Sequence, residues 1–189
     1  LYYENDAGKP WTAYCSGMSD SPSEYLALVN TGSDKNFSQF TSGGGAVGTS
    51  VVTTYTRLRI DPSTLEVTTG DQSFATSEGS LVQSATSITA MPFATAADCK
   101  SVNSKTGIAN IDLTGTPFVV LSEFLTGGYQ ENGTVEFSSD DQVVDLTGGG
   151  YCGWIQPCDS ESSDDCLINP YNANGETLQL GYSSASSGK

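Results

Sequence analysis

The segment TRLRI, Thr56 to Ile60, places Leu58 and Ile60 on one side of an extended chain and Arg57 and Arg59 on the other. A side-chain period of two does not fit a helix, so the stretch reads as a half-buried strand. Asp61-Pro62-Ser63-Thr64 follows with turn chemistry: Asp opens a type I turn and Pro presets φ at its second position. Leu65 and Val67 resume the alternation, Gly70-Asp71 turns the chain, and Gln72 to Ala75 returns. The spacing predicts a three-stranded meander between Val51 and Thr76, forming part of a central sheet. Leu58, Ile60, Leu65 and Val67 would face the core.

The rest of the chain repeats this style. Trp11 to Cys15 and Tyr25 to Val29 read as short strands, as do Ala109 to Leu113, Phe118 to Leu121, Thr134 to Phe137, Gln142 to Leu146 and Leu178 to Tyr182. Thr31 to Ser50, with Gly43, Gly44 and Gly45, is expected to be a long mobile loop. Glu123 to Leu125 could form a short turn of helix. No stripe of period 3.6 and no fixed internal repeat is present. The expected fold is all-β: a single domain of short antiparallel strands, a sandwich or open barrel, with long loops and disulfides. The domain would span 1–182, followed by a polar tail over 183–189.

Charge and absences narrow the chemistry. The 189 residues carry 22 acidic against 7 basic side chains, a formal charge of −15. Such a surface repels polyanions, so neither nucleic acid nor an anionic membrane is an expected partner. No apolar run approaches the roughly 18 residues of a membrane helix. The chain has no histidine, which excludes a Ser-His-Asp triad, a Cys-His pair and the zinc-protease helix motif. GGGAVGTS, from Gly43, lacks the terminal lysine of a phosphate-binding loop. Paired carboxylates hydrolysing a glycoside remain an alternative, but no particular pair stands out in the sequence.

The cysteines are Cys15, Cys99, Cys152, Cys158 and Cys166, with no CxxC pair among them. Wide spacing in a Gly/Ser/Thr-rich chain points to disulfides and a secreted, extracellular protein. Cys158 and Cys166 bracket a short polar loop and are the preferred pair; the odd count leaves a free thiol or an outside partner. Two acidic groups, Asp140, Asp141 and Asp145, and Asp159, Glu161, Asp164 and Asp165, could supply oxygen ligands for calcium. Neither has EF-hand spacing, and no cofactor is required. In GGGYCGWIQP, Tyr151 and Trp154 stand beside Gly149 and Gly150. Exposed rings on permissive backbone could form a ligand-binding platform, although packing of Tyr151 and Trp154 against a disulfide is the favoured reading. Asn36-Phe37-Ser38 and Asn132-Gly133-Thr134 are N-glycosylation sequons.

Six segments in order resemble the GON domain: YCSGMSDSPSEYLALV (Tyr14 to Val29), KNFSQF (Lys35 to Phe40), TRLRIDPSTLEVTTGDQSFATSEG (Thr56 to Gly79), MPFATAADC (Met91 to Cys99), ANIDLTGTPF (Ala109 to Phe118) and GGYCG (Gly149 to Gly153). This module is found at the C-terminus of certain ADAMTS extracellular metalloproteases and in some bacterial secreted proteins. The resemblance implies a noncatalytic accessory domain covalently part of a larger polypeptide, used for targeting or for recognition of an extracellular protein or glycan. The chain has fewer cysteines than the animal members. An upstream family cysteine that it lacks would account for the odd count, at Cys15 or Cys99. A carbohydrate-binding module, stacking sugars on Tyr151, Trp154 or Tyr171, is the next reading.

Overall fold

The computed structural model describes residues 1–130, 132–158 and 169–183. After a 3-10 turn at Tyr3–Asn5 come β1 (Ala13–Ser16), β2 (Ser23–Ala27), β3 (Phe37–Thr41), β4 (Ala46–Gly48), β5 (Val51–Tyr55) and β6 (Arg57–Arg59). Next are β7 (Glu66–Thr68), β8 (Ala75–Glu78), β9 (Leu81–Gln83), β10 (Thr86–Ile88), β11 (Ala96–Asp98) and β12 (Gly107–Asp112). The last are β13 (Phe118–Val120), β14 (Phe124–Gly128), β15 (Asn132–Ser138), β16 (Val143–Gly149), β17 (Gly153–Pro157) and β18 (Thr177–Tyr182).

The main sheet has nine strands: β14-β17-β11-β3-β12-β16-β15, with β5 added to β3 and β8 to β5. Its two ends curl together. A Cβ at Gly133 on β15 would stand 2.6 Å from Thr126 Cγ2 on β14 and 3.1 Å from Ile155 Cδ1 on β17, so the sheet is a nearly closed barrel. Three small sheets, β1-β2-β6, β10-β9-β4 and β13-β18-β7, complete the all-β fold.

Two apolar clusters fill the interior. The larger joins Trp11, Leu58, Phe93, Phe118, Val144 and Ile155; the smaller gathers Phe40, Ile88, Met91, Cys99 and Trp154. Residues 91–99 are buried without interruption and run between them. The buried Tyr55 hydroxyl donates to the Met91 carbonyl at 2.5 Å and accepts from Gln72 Nε2 at 3.1 Å. Burial pushes its pKa well above the ordinary tyrosine value.

Leu58, Ile60, Leu65 and Val67 all face the core, at 3% exposure or less. Asp61 caps the turn as its chemistry requires, accepting from the Ser63 and Thr64 backbone N–H groups. The meander itself does not form. β6, β7 and β8 belong to three different sheets, and only an isolated bridge joins Ile60 to Val67. Alternation fixed which way these side chains point but could not say which strand each pairs with.

Three further expectations need correction. Thr31 to Ser50 is not one long loop: it contains β4 and β3, and β3 pairs with β5, β11 and β12. The β3–β11 pairing is parallel, so the fold is not wholly antiparallel; the long connection through 42–95 provides the crossover that a parallel pair needs. Glu123 to Leu125 leads into β14 rather than a turn of helix. The Asn36 sequon is also buried. Its side chain donates to the Asn30 and Asp112 carbonyls and accepts from the Asp112 N–H, so the folded chain cannot present it for glycosylation.

Candidate functional site

Asp98, at the end of β11, is completely buried. Unpaired, its carboxylate would carry a prohibitive desolvation cost, so the surrounding chain supplies donors. Oδ1 accepts from the Lys100 N–H at 3.1 Å and the Ser104 hydroxyl at 2.6 Å; Oδ2 accepts from the Thr106 N–H at 2.7 Å and hydroxyl at 3.2 Å. These bonds fold the 98–106 loop around the carboxylate, which itself packs against the end of β16. There, Gly149 has φ +141°, and a Cβ at this position would overlap the Asp98 carboxylate. Gly150, at φ +103°, leaves room for Gln130. The glycine run is therefore a close-packing device, not a flexible platform.

A disulfide between Cys99 and Cys152 joins the 98–106 loop to the 149–153 segment. The Gly43–Gly45 turn lies over this bond. A Cβ on Gly44 would strike the Cys99 carbonyl, and one on Gly45 would come within 2.8 Å of Cys152 Sγ. What the sequence suggested was a mobile loop is a tightly seated cover. Gln130 Oε1 adds a third tie, accepting from the Asn103 N–H at 3.1 Å and the Tyr151 N–H at 3.5 Å.

On this braced rim stand two exposed tyrosines. Tyr151 is 40% exposed and Tyr129 79%; their rings meet edge to face with centroids 5.9 Å apart. Val102 is exposed on the same 98–106 loop, as are Lys100 and Lys105. Neither lysine forms an ion pair among the described residues.

The proposed platform residues thus separate. Tyr151 is available to solvent, and Gly149 and Gly150 shape the backbone beneath it. Trp154 lies on β17, 8% exposed, inside the smaller core, so the expectation of an exposed ring there is corrected. β17 is buried along its whole length, so its ring faces protein. Tyr171 also packs against that cluster. Tyr129 was missed: it is a lone aromatic between Gly128 and Gln130, and only the pairing of β14 with β17 brings it to Tyr151.

Among the other candidates, Cys15 is a free, exposed thiol on β1. Cys158 is disulfide-bonded, while Cys166, Asp159, Glu161, Asp164 and Asp165 lie outside the described residues. Asp140 and Asp141 occupy a turn at positive φ, and Asp145 instead accepts from Asn110 Nδ2 at 2.7 Å. No group of three or more metal-ligating side chains occurs among the described residues.

The second buried aspartate, Asp112, accepts from the Thr114 hydroxyl and N–H and from Asn30, and faces Lys35 Nζ at 3.4 Å. Burial raises its pKa, but the bonds from Thr114, Asn30 and Lys35 together outweigh burial and hold the carboxyl below its ordinary range. Asp98 is bonded at Thr106, immediately before β12, whereas Asp112 closes that strand. At strand rise, Gly107 to Asp112 covers roughly 16 Å. That is well beyond the 5–9.5 Å or so at which two carboxyl groups cooperate in glycoside hydrolysis.

The family model for the GON domain matches residues 45–165, more than half of the chain. No curated protein and no solved structure matches it.

Proposed function

The chain belongs to the GON domain family, and from that premise we propose that it is a noncatalytic recognition module of a secreted, extracellular protein. The carrying observation is the Tyr129–Tyr151 pair, exposed on backbone that a disulfide and the Asp98 network hold in place. Rigid aromatic rings give large contact area at low entropic cost, the usual composition of a binding hot spot. Lys100 and Lys105 add local positive charge to an otherwise acidic protein, favouring an acidic or polar extracellular partner.

A glycan is the second reading, because two neighbouring tyrosine faces also suit sugar stacking. Glycan arrays and immobilised extracellular glycoproteins, probed with the wild type and with a Tyr129→Ala/Tyr151→Ala double variant, test both. We expect the double variant to lose at least about tenfold in affinity with an unchanged melting temperature. Ligands that bind both forms equally would sink the assignment. Enzymatic removal of glycans from a captured partner separates sugar from protein recognition.

A further inference from the structure

The β1-β2-β6 sheet carries a different aromatic and cationic cluster. Register places Tyr14 opposite Tyr25, and Tyr25 opposite Arg59, with Arg57 two residues along β6 on the same face. The Arg57 guanidinium lies 4.0 Å from the Tyr14 ring centroid and 4.6 Å from that of Phe74. Arg59 faces Asp71 at 3.8 Å, but Arg57 has no carboxylate partner among the described residues. In a chain of formal charge −15, a fixed arginine without a counter-ion is a conspicuous anion site. Its forked N–H groups match a carboxylate bidentately, and the rings reduce the entropy lost on binding.

Arg57 and Tyr14 line a groove of about 510 Å³ whose other walls include Trp11, Ala13, Val29 and Pro117. That volume is in the range of ligand sites, and the walls are largely apolar. Trp11 forms one wall at 6% exposure, so the floor of the groove is packed against the core. Thr12, Ala13 and Tyr14 also line the groove. Thr12 precedes β1 and Ala13 and Tyr14 open it, while Leu26 and Ala27 of β2 carry the groove across the sheet to Arg57; β1 ends its sheet with no strand on its outer side among the described residues. An open edge of this kind can accept an extended peptide.

We infer that this groove captures the free C-terminus of a partner polypeptide. The carboxylate is held by Arg57, the apolar last side chain occupies the groove, and the preceding backbone lies along β1. The occupant is a peptide rather than a small acid because edge strand, apolar walls and unpaired cation occur together.

The test titrates the full chain with N-acetylated pentapeptides of mixed sequence ending in Leu or Phe, as free acids and as amides, followed by amide and indole NMR. Free acids should shift Tyr14, Arg57 and the Trp11 indole N–H while leaving the Trp154 indole and Tyr151 unmoved. Amidation should weaken binding at least about tenfold, as should Arg57→Gln. Equal binding of acid and amide overturns the inference, and that comparison uses the wild type, so it stands even if the variant is unstable. Phenylacetate binding as tightly as the peptides overturns it in favour of a small-acid site. Binding that persists in the Tyr129→Ala/Tyr151→Ala variant keeps this groove distinct from the tyrosine rim.

Discussion

The two ends of β12 solve the same problem differently. Each lies beside a buried aspartate, and each aspartate accepts from a Thr two or more residues further along the chain. At the Asp98 end only neutral donors surround the carboxylate, and the Cys99–Cys152 disulfide closes the arrangement. At the Asp112 end no disulfide occurs among the described residues; Asn30, Asn36 and the Lys35 ammonium hold the strands instead. The exposed tyrosines stand on the covalently closed end. The recognition role proposed for this rim fits that closure, because backbone ordered only on binding costs affinity. The other end needs only cohesion, which noncovalent bonds supply.

The sharpest way to break this contrast is a Cys99→Ser/Cys152→Ser double variant. Releasing a loop of 53 residues should cost about 4 kcal/mol by the chain-entropy account. Calorimetry should show a melting point lowered by many degrees; a shift of only a degree or two would mean that the Asp98 network alone holds the rim. Asp98→Ala is expected to cost somewhat less, about 2–3 kcal/mol, by leaving the part-buried Lys100 and Thr106 N–H groups without their acceptor and a gap where the carboxylate was. Urea unfolding measures it.

Asp112→Asn should have the smallest effect, about 1–2 kcal/mol at neutral pH, because an amide retains some of the bonds while losing the charge opposite Lys35. Its pH dependence is the finer test. The folded-state pKa of Asp112 is lowered from 3.8, so its contribution is complete above that value and is lost as pH falls through the lower folded pKa. Wild-type stability should therefore drop more steeply than that of the variant below about pH 4. Parallel acid-unfolding curves would contradict this account of the Asp112 end.

Legibility in the sequence followed burial geometry. The 58–67 stretch has one face in the core and one outside, so alternation reveals it. β11 and β17 are buried at every residue and show no alternation. β3 was hidden for a related reason: Ser38 lies in the interior, satisfying the Thr95 N–H through its hydroxyl. A polar residue in the centre of a sheet looks like loop sequence until its partner is known. Tyr151 and the glycines before it could be picked out along the chain, but the burial of Trp154 and the arrival of Tyr129 depend on neighbours in β11 and β14.

By itself, then, the sequence determined the class of fold, the inward face of the 58–67 stretch, the Asp61 turn and the absence of histidine-based chemistry. These rest on period, local turn chemistry and residue inventory, all properties of neighbouring residues. Tertiary structure alone decided that the meander divides among three sheets, that Cys99 meets Cys152, that one strand pair runs parallel, and that the Gly43–Gly45 turn is a packed cover. Each depends on pairing between residues far apart in the chain, where side-chain direction is fixed locally but the partner is chosen by how the whole interior closes.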